Sequence, residues 1–378
     1  MTDRPALAYG PRLRRSPYFE ATRRWGVAAW TTYNHMLMPA HFGDPEGEYR
    51  ALVNDVTLWD VAAQRQVEVT GPDARAFLEY LTPRDLRGLK PGRGRYVILC
   101  DEQGGVVNDP VLFCLSETQF WLSAADSDIL LWIKGASLGA GFDVAVREPD
   151  AWPLQLQGPR APDVLRSLVG DAVDGLGYFH LWEMEIDGIP VVVSRTGWSA
   201  ERGYEVFLRD AARGDRLWEL LMEAGASFGI QPAAPNQARR IEAGLLSWGA
   251  DMDLTVSPFE LNMDRLVNLE KPGPFIGRQA LERLIHMPTP RRLTGAVIEG
   301  APIRYNPEAW PISCDGRRIG WLTSVAWSPF LETNVGLALV EREAAEAMPD
   351  DLVVVGADDG HRGIGFQDLP FVPSRARG

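Results

Sequence analysis

The sequence predicts an α+β fold of two α/β units followed by a β-rich domain, and three observations carry that prediction. A strand-like stretch, a Gly-Pro step and a helix-like stretch follow one another twice, at 66–81 and at 152–169, as two related units would. From about Asp44 to Trp152 the text alternates between strand and helix patterns. After His286 the style changes to short apolar runs punctuated by Pro288, Pro290, Pro302, Pro307, Pro311 and Pro329, so 287–378 reads as a separate β-rich domain and 1–286 as the remainder. The 378 residues suffice for two or three domains at roughly 100 to 200 residues each.

Taken in order, Gln66–Thr70 alternates as a half-buried strand, and Gly71-Pro72-Asp73 opens a helix over 74–81 with Asp73 near its start. Strands are expected around 95–100, 111–115 and 119–123, then a helix over 127–138. A strand at 152–157 ends at Gly158-Pro159 and leads into a helix over 161–169. Strands 183–186 and 189–194 bracket Asp187-Gly188, the composition of a two-residue hairpin turn. Residues 195–203, rich in polar groups, interrupt the apolar text before a strand at 204–208, which marks a binding loop. Amphipathic helices are expected at 215–224 and 236–247, and near 341–347 in the β-rich part.

Composition narrows the function. With 38 Lys and Arg against 51 Asp and Glu, the net charge of −13 argues against a nucleic-acid partner and for a small-molecule ligand. The 13 Trp, 9 Tyr and 14 Phe supply faces that stack on flat heterocycles or surround an onium cation. Cys100, Cys114 and Cys314 lack Cys-x-x-Cys spacing and read as reduced structural thiols, the first two on strands that could face each other. The five histidines include no His-x-x-x-His, so no metal is expected. No glycine-rich phosphate cradle occurs. Met1–Pro17 has no apolar core of a secretory leader, and no window is long and apolar enough for a membrane span. A cytoplasmic protein is the expectation.

One carboxylate stands out. In Asn108-Asp109-Pro110 both polar side chains bond nearby backbone and the proline fixes its own φ, so Asp109 is held at what reads as a hairpin corner. Two readings fit: the pair caps a turn, or the held carboxylate does proton work. With Glu201, Glu205, Trp30, Tyr33 and Trp198 it forms a loop-borne set suited to a flat amide-bearing ring, since a carboxylate accepts two parallel N–H bonds while an aromatic covers the face. The alternative for the 195–205 stretch is a solvent-facing charged loop.

The residues Thr196-Gly-Trp-Ser-Ala-Glu-Arg-Gly-Tyr-Glu205, Arg240-Ile-Glu-Ala-Gly244, Phe275-Ile-Gly-Arg278 and Thr323-Ser324 before Trp327-Ser-Pro329 resemble, in order and spacing, the folate-binding aminomethyltransferase family of the glycine cleavage T-protein. Tyr33–Leu37, Trp59–Ala63 with Arg65–Glu68, Asn108–Val111, Ala125–Asp128, Lys134-Gly135, Ser199 and Asp368–Phe371 are similar to its branch of tetrahydrofolate-dependent dimethylsulfoniopropionate demethylases. T-proteins usually carry two successive Asp residues where this chain has Asn108 and Asp109.

The resemblance implies two intertwined α/β subdomains, one roughly 52–147, and a C-terminal β-barrel-like domain around a central folate channel. It implies tetrahydrofolate as methyl acceptor, the pterin meeting Glu201 or Glu205, with Tyr96, Arg240 and Trp198 near the folate. Asp109 would meet N5, beside Asn108, and Tyr33, Trp30, Trp198 and Tyr204 are the aromatic candidates for the methyl donor. Arg23, Arg24 and Arg65 are candidates for a donor's carboxylate, and a homodimer is possible. The implied activity is demethylation of a sulfonium. Rival activities are demethylation of a methylated amine, another sulfonium or an aryl methyl ether, T-protein chemistry with a lipoyl carrier, and a non-catalytic folate-binding module.

Overall fold

A computed structural model describes residues 10–349, 351–356 and 360–377; the first nine residues, part of the segment read above for a leader, lie outside them. The expected α+β class is borne out: two antiparallel-rich sheets with helices, and a closed six-stranded barrel. The five-stranded sheet runs in the order Ala145–Arg147, Gln66–Thr70, Gln119–Ser123, Val111–Ser116, Arg93–Tyr96. The six-stranded sheet runs Leu181–Ile186, Ile189–Ser194, Gly203–Leu208, Trp152–Gln157, Val56–Asp60, Ile230–Ala233, with only the last pair parallel. The segment 52–147 therefore divides: Val56–Asp60 belongs to the six-stranded sheet, and the five-stranded sheet begins at Gln66.

The repeated strand, Gly-Pro step and helix build the same corner twice. Gly71 (φ +134°) and Gly158 (φ +129°) end the strands Gln66–Thr70 and Trp152–Gln157. A Cβ at either would run into backbone, that of Asp143 or of Asp55, so both positions require glycine. The helices Ala74–Leu81 and Ala161–Val169 follow directly. Each packs an apolar stripe on its own sheet: Ala74, Phe77, Leu78 and Leu81 in one core, Ala161, Val164 and Leu165 in the other.

The barrel is built from Arg291–Ile298, Trp310–Cys314, Arg317–Ser328, Thr333–Glu341, Leu352–Gly356 and Gly360–Gln367. Closure leaves no free strand edge. Its interior is apolar, with Ala296, Ile312, Leu322, Ala338 and Val354 fully buried. Another core ties it to the rest through Leu337 and Val335 of the barrel, Ile241 of helix Gln237–Glu242, and Ile98 and Val106. The site lies around this junction. Cys100 packs in that junction core and Cys114 in the core of the five-stranded sheet, so the two thiols do not face each other.

Candidate functional site

The chain around Asp109 differs from the hairpin corner expected of it. The reversal is made at Asp101–Gly105, where the Asp101 carboxylate accepts from the N–H groups of Gln103 (2.9 Å) and Gly105 (2.8 Å). From there Val106–Asn108 pairs with Leu99–Cys100, and Val111–Ser116 pairs with Arg93–Tyr96. Asp109-Pro110 falls between these two ladders, where one hairpin passes from a two-stranded sheet into the five-stranded one. Pro110 has no N–H to pair. Its carbonyl accepts from Val97 N–H at 3.0 Å, a backbone bond across the break.

At the break Asp109 is aimed inward. Its Oδ2 accepts from the Tyr96 hydroxyl at 2.8 Å, while Oδ1 is buried without a partner among the described residues. Burial pushes this carboxyl up to about 7; the Asp251 charge adds to the rise, and the Tyr96 bond opposes it. The Tyr33 hydroxyl is raised by burial and by the Asp109 and Asp126 charges, with Arg240 acting against them, so Tyr33, Asp109 and Arg240 share one electrostatic environment. Asn108 turns away from it. Its amide donates to Ser127 Oγ (2.7 Å) and its carbonyl accepts from Ala125 N–H (3.2 Å), which locks the 125–127 loop.

A polar row on the six-stranded sheet forms a second wall. Ser194, Glu205, Gln155 and Trp59 face one another in register across four neighbouring strands. Alternation puts them on the sheet face opposite the core of Leu154, Tyr204 and Val206. Glu205 accepts from Gln155 Nε2 at 3.1 Å and from the Thr196 hydroxyl, and burial raises its carboxyl. The indole Nε1 of Trp59, 1% exposed, has no partner among the described residues. Gln155 also meets the loop above, accepting from Trp198 N–H at 3.4 Å. Trp198 is pinned through its indole N–H to Leu246 O (3.2 Å), with the Arg240 guanidinium 5.4 Å from its ring centre. Contacts thus link Glu205, Gln155, Trp198 and Arg240 on one side and Tyr96 with Asp109 on the other, and the charges of Asp109 and Arg240 both reach Tyr33 between these two groups, which together are the candidate lining.

Other candidates from the sequence sit elsewhere. Glu201 is 3% exposed and its Oε1 accepts from Arg239 (2.7 Å) and Arg375 (2.9 Å), so it anchors helix Gln237–Glu242 and the C-terminal segment rather than facing the lining. Tyr204 points into the helix-side core, because its neighbour Glu205 takes the other face. Trp30 stacks on Phe19 at 4.7 Å, on the opposite side of its strand from Tyr33. Arg23 pairs with Glu20, Arg24 with Asp215 and Glu219, and Arg65 with Glu148. None of these three is brought to the lining.

The GCVT N-terminal domain model matches residues 19–271, and the glycine cleavage T-protein C-terminal barrel domain matches 291–372. This chain belongs to the glycine cleavage T-protein family. A dimethylsulfoniopropionate demethylase from Ruegeria pomeroyi is 36% identical over 93% of this chain and 96% of its own. An aminomethyltransferase from Streptomyces avermitilis is 33% identical over 94% and 97%. The crystal structure of aminomethyltransferase T from Bartonella henselae superposes with a TM-score of 0.85 at 26% identity, over 96% of this chain and 99% of that one. Within this family of tetrahydrofolate-dependent one-carbon transfer enzymes the chain is an enzyme.

Two members of this T-protein-family site escaped sequence reasoning. Gln155 had a signal: with Gln157 it places amides at alternate positions of an otherwise apolar strand, which is a polar face written with period two. Asp251 had none. It is 1% exposed, accepts from Arg240 Nη1 (2.6 Å), Ser247 N–H (2.9 Å), Thr323 Oγ1 (2.7 Å) and Ser324 Oγ (2.6 Å), and so joins the barrel to the lining. Arg240, with Gln237, Leu245, Asp251 and Ser324 as partners, is held as a fixed wall against Trp198. Among the described residues no group of His, Cys, Asp and Glu could hold a metal.

Proposed function

We propose that this enzyme moves a methyl group from the sulfonium dimethylsulfoniopropionate to N5 of tetrahydrofolate, giving 5-methyltetrahydrofolate and methylmercaptopropionate. The observation that carries the proposal is the buried Asp109 carboxylate, whose Oδ2 is held by Tyr96 while its Oδ1 has no partner among the described residues. Tetrahydrofolate when bound supplies N5 as nucleophile: the N–CH3 bond forms as S–CH3 breaks, the electron pair returns to sulfur, and the N5 proton leaves. Asp109 Oδ1 accepts that N–H and takes the proton, a task matched by a carboxyl pushed up to about 7. Tyr96 fixes the other oxygen, which sets the direction of the free lone pairs.

Glu205, rather than Glu201, is the pterin partner in this reading, since Glu201 is committed to the guanidiniums of Arg239 and Arg375, whereas Glu205 accepts from neutral groups, Gln155 and Thr196, and stands in the polar row with Gln155 and Trp59. Tyr33 and Trp198 offer ring faces to the onium methyls, at about 0.5 to 2 kcal/mol per contact. Holding donor and acceptor in line supplies the larger share, roughly 7 to 11 kcal/mol in well-oriented cases. Asn108 is engaged with Ser127 and Ala125, so in this reading it positions the 125–127 loop and Asp109 is the acid at the reacting nitrogen. The test is a panel: tetrahydrofolate with dimethylsulfoniopropionate, other sulfoniums, methylated amines and aryl methyl ethers, monitored for 5-methyltetrahydrofolate. Product from dimethylsulfoniopropionate above all others is expected; product only from another donor overturns the substrate, and none from any donor overturns methyl transfer.

A further inference from the structure

Tyr33 reaches the candidate lining from a turn held in a costly shape. Strands Ala29–Tyr33 and Met36–His41 form a two-stranded sheet with Tyr33 opposite Met36, so Asn34-His35 is a two-residue hairpin turn. Both residues are left-handed, Asn34 at φ +47° and His35 at φ +62°. Asn suits the first position of such a turn, whereas glycine is preferred at the second. His35 therefore carries backbone strain, and strain of this kind persists only where the surroundings over-determine the conformation.

The contacts that hold the turn come from the 125–127 loop. The Asp126 carboxylate accepts from Asn34 N–H at 2.6 Å, and a backbone hydrogen bond from the same residue acts on the Tyr33 phenol. One residue thereby grips Tyr33 and Asn34 together. The Asn34 side-chain amide, in a residue 4% exposed, donates to Ala125 O and to Ala63 O, each at 3.1 Å. Ala125 is fixed in turn by Asn108, the neighbour of Asp109: its carbonyl accepts from Asn108 Nδ2 (3.3 Å) and its N–H donates to Asn108 Oδ1 (3.2 Å). Ser127 Oγ donates to Val107 O at 3.2 Å. A path of hydrogen bonds thus runs from the strand that carries Asp109 to the turn that carries Tyr33, and because such bonds are directional they fix orientation as well as distance.

We propose that Asp126 is a positioning residue for the methyl donor, which sets the Tyr33 ring through the Asn34 turn and takes its own placement from the strand that carries Asp109. The inference rests on the reading above that Tyr33 offers its face to the onium methyls, and deepens it. Asp126 acts through Tyr33 rather than on the donor. An amide oxygen in the same place also accepts from Asn34 N–H, so Asp126→Asn keeps the grip and Asp126→Ala releases it. Loss of one ring–cation contact corresponds to about 2- to 30-fold in donor affinity.

Titration calorimetry with dimethylsulfoniopropionate, and separately with tetrahydrofolate, tests this on the full chain without turnover. Asp126→Ala is expected to weaken donor binding by roughly 3- to 30-fold, with folate affinity and the Asp126→Asn donor affinity each within about 2-fold of the parent. A double-mutant cycle supplies the readout that a merely structural role would not move. Tyr33→Ala should weaken donor binding by itself, and Asp126→Ala added to it should change the affinity by less than about 2-fold, since the ring through which Asp126 acts is gone. Additive losses in the double variant, donor binding unchanged in Asp126→Ala, an equal loss of folate affinity, or an Asp126→Asn protein as impaired as Asp126→Ala overturns the positioning role and leaves the donor reading standing. Donor binding that is untouched by Tyr33→Ala, or absent from the parent protein, overturns both.

Discussion

Asp109 makes the sharpest residue-level statements, and they concern protons. Its folded-state value of about 7 lies above the roughly 3.9 of an unfolded chain, so between those limits the folded protein holds a proton that the unfolded chain has released. Stability therefore declines as pH rises through that window and is flat above it. Asp109→Asn removes the decline, and at pH 8 thermal or urea melts should show the variant as stable as the parent or up to about 4 kcal/mol more so. Its turnover should fall by about 100-fold or more, with folate affinity changed by less than about 5-fold, because the acceptor is needed as the proton leaves; equal losses in both would mark Asp109 as an anchor only. Tyr96→Phe deletes the bond that lowers the Asp109 carboxyl. The rising limb of kcat against pH should then move to higher pH, which a stopped assay across pH 5.5 to 9 reads directly.

At the scale of elements, periodicity was legible and irregularity was not. The helices Ala74–Leu81 and Ala161–Val169, the hairpin turn at Asp187-Gly188 and the strand Gly203–Leu208 follow from patterns of two and 3.6. The helix expected over 236–247 stops at Glu242, since the chain turns left-handed at Gly244 (φ +69°) and Arg240 caps Leu245 O instead. The interrupted ladder at Asp109 depends on which strand lies opposite, a non-local fact that no window contains. The same holds for Glu201 against Glu205: both read as loop carboxylates, and only tertiary packing commits the former to Arg239 and Arg375. Arg239→Ala leaves Glu201 and Glu242 without their buried partner, which should cost about 3 to 5 kcal/mol. A lowered melting temperature with folate affinity retained in the folded fraction is the expected result; lost affinity without lost stability would return Glu201 to the ligand.

For the molecule as a whole, the barrel meets the site at Arg240, directly through Ser324 and through the carboxylate of Asp251. Asp251 binds Thr323 and Ser324 of the barrel strand with one oxygen and Arg240 with the other. Its charge also raises the Asp109 carboxyl. Asp251→Asn should destabilise the protein by about 3 to 5 kcal/mol, since Arg240 stays buried unpaired. The pH midpoint of turnover should move down, opposite to Tyr96→Phe, so a pair of pH profiles separates the two influences; midpoints moving the same way would refute the account. The break at Asp109 has an evolutionary corollary. Because Asp109 stands at the seam between two strand pairings, its side chain can be exchanged without altering which strands align, so the chemistry at this position can change while the scaffold stays as it is.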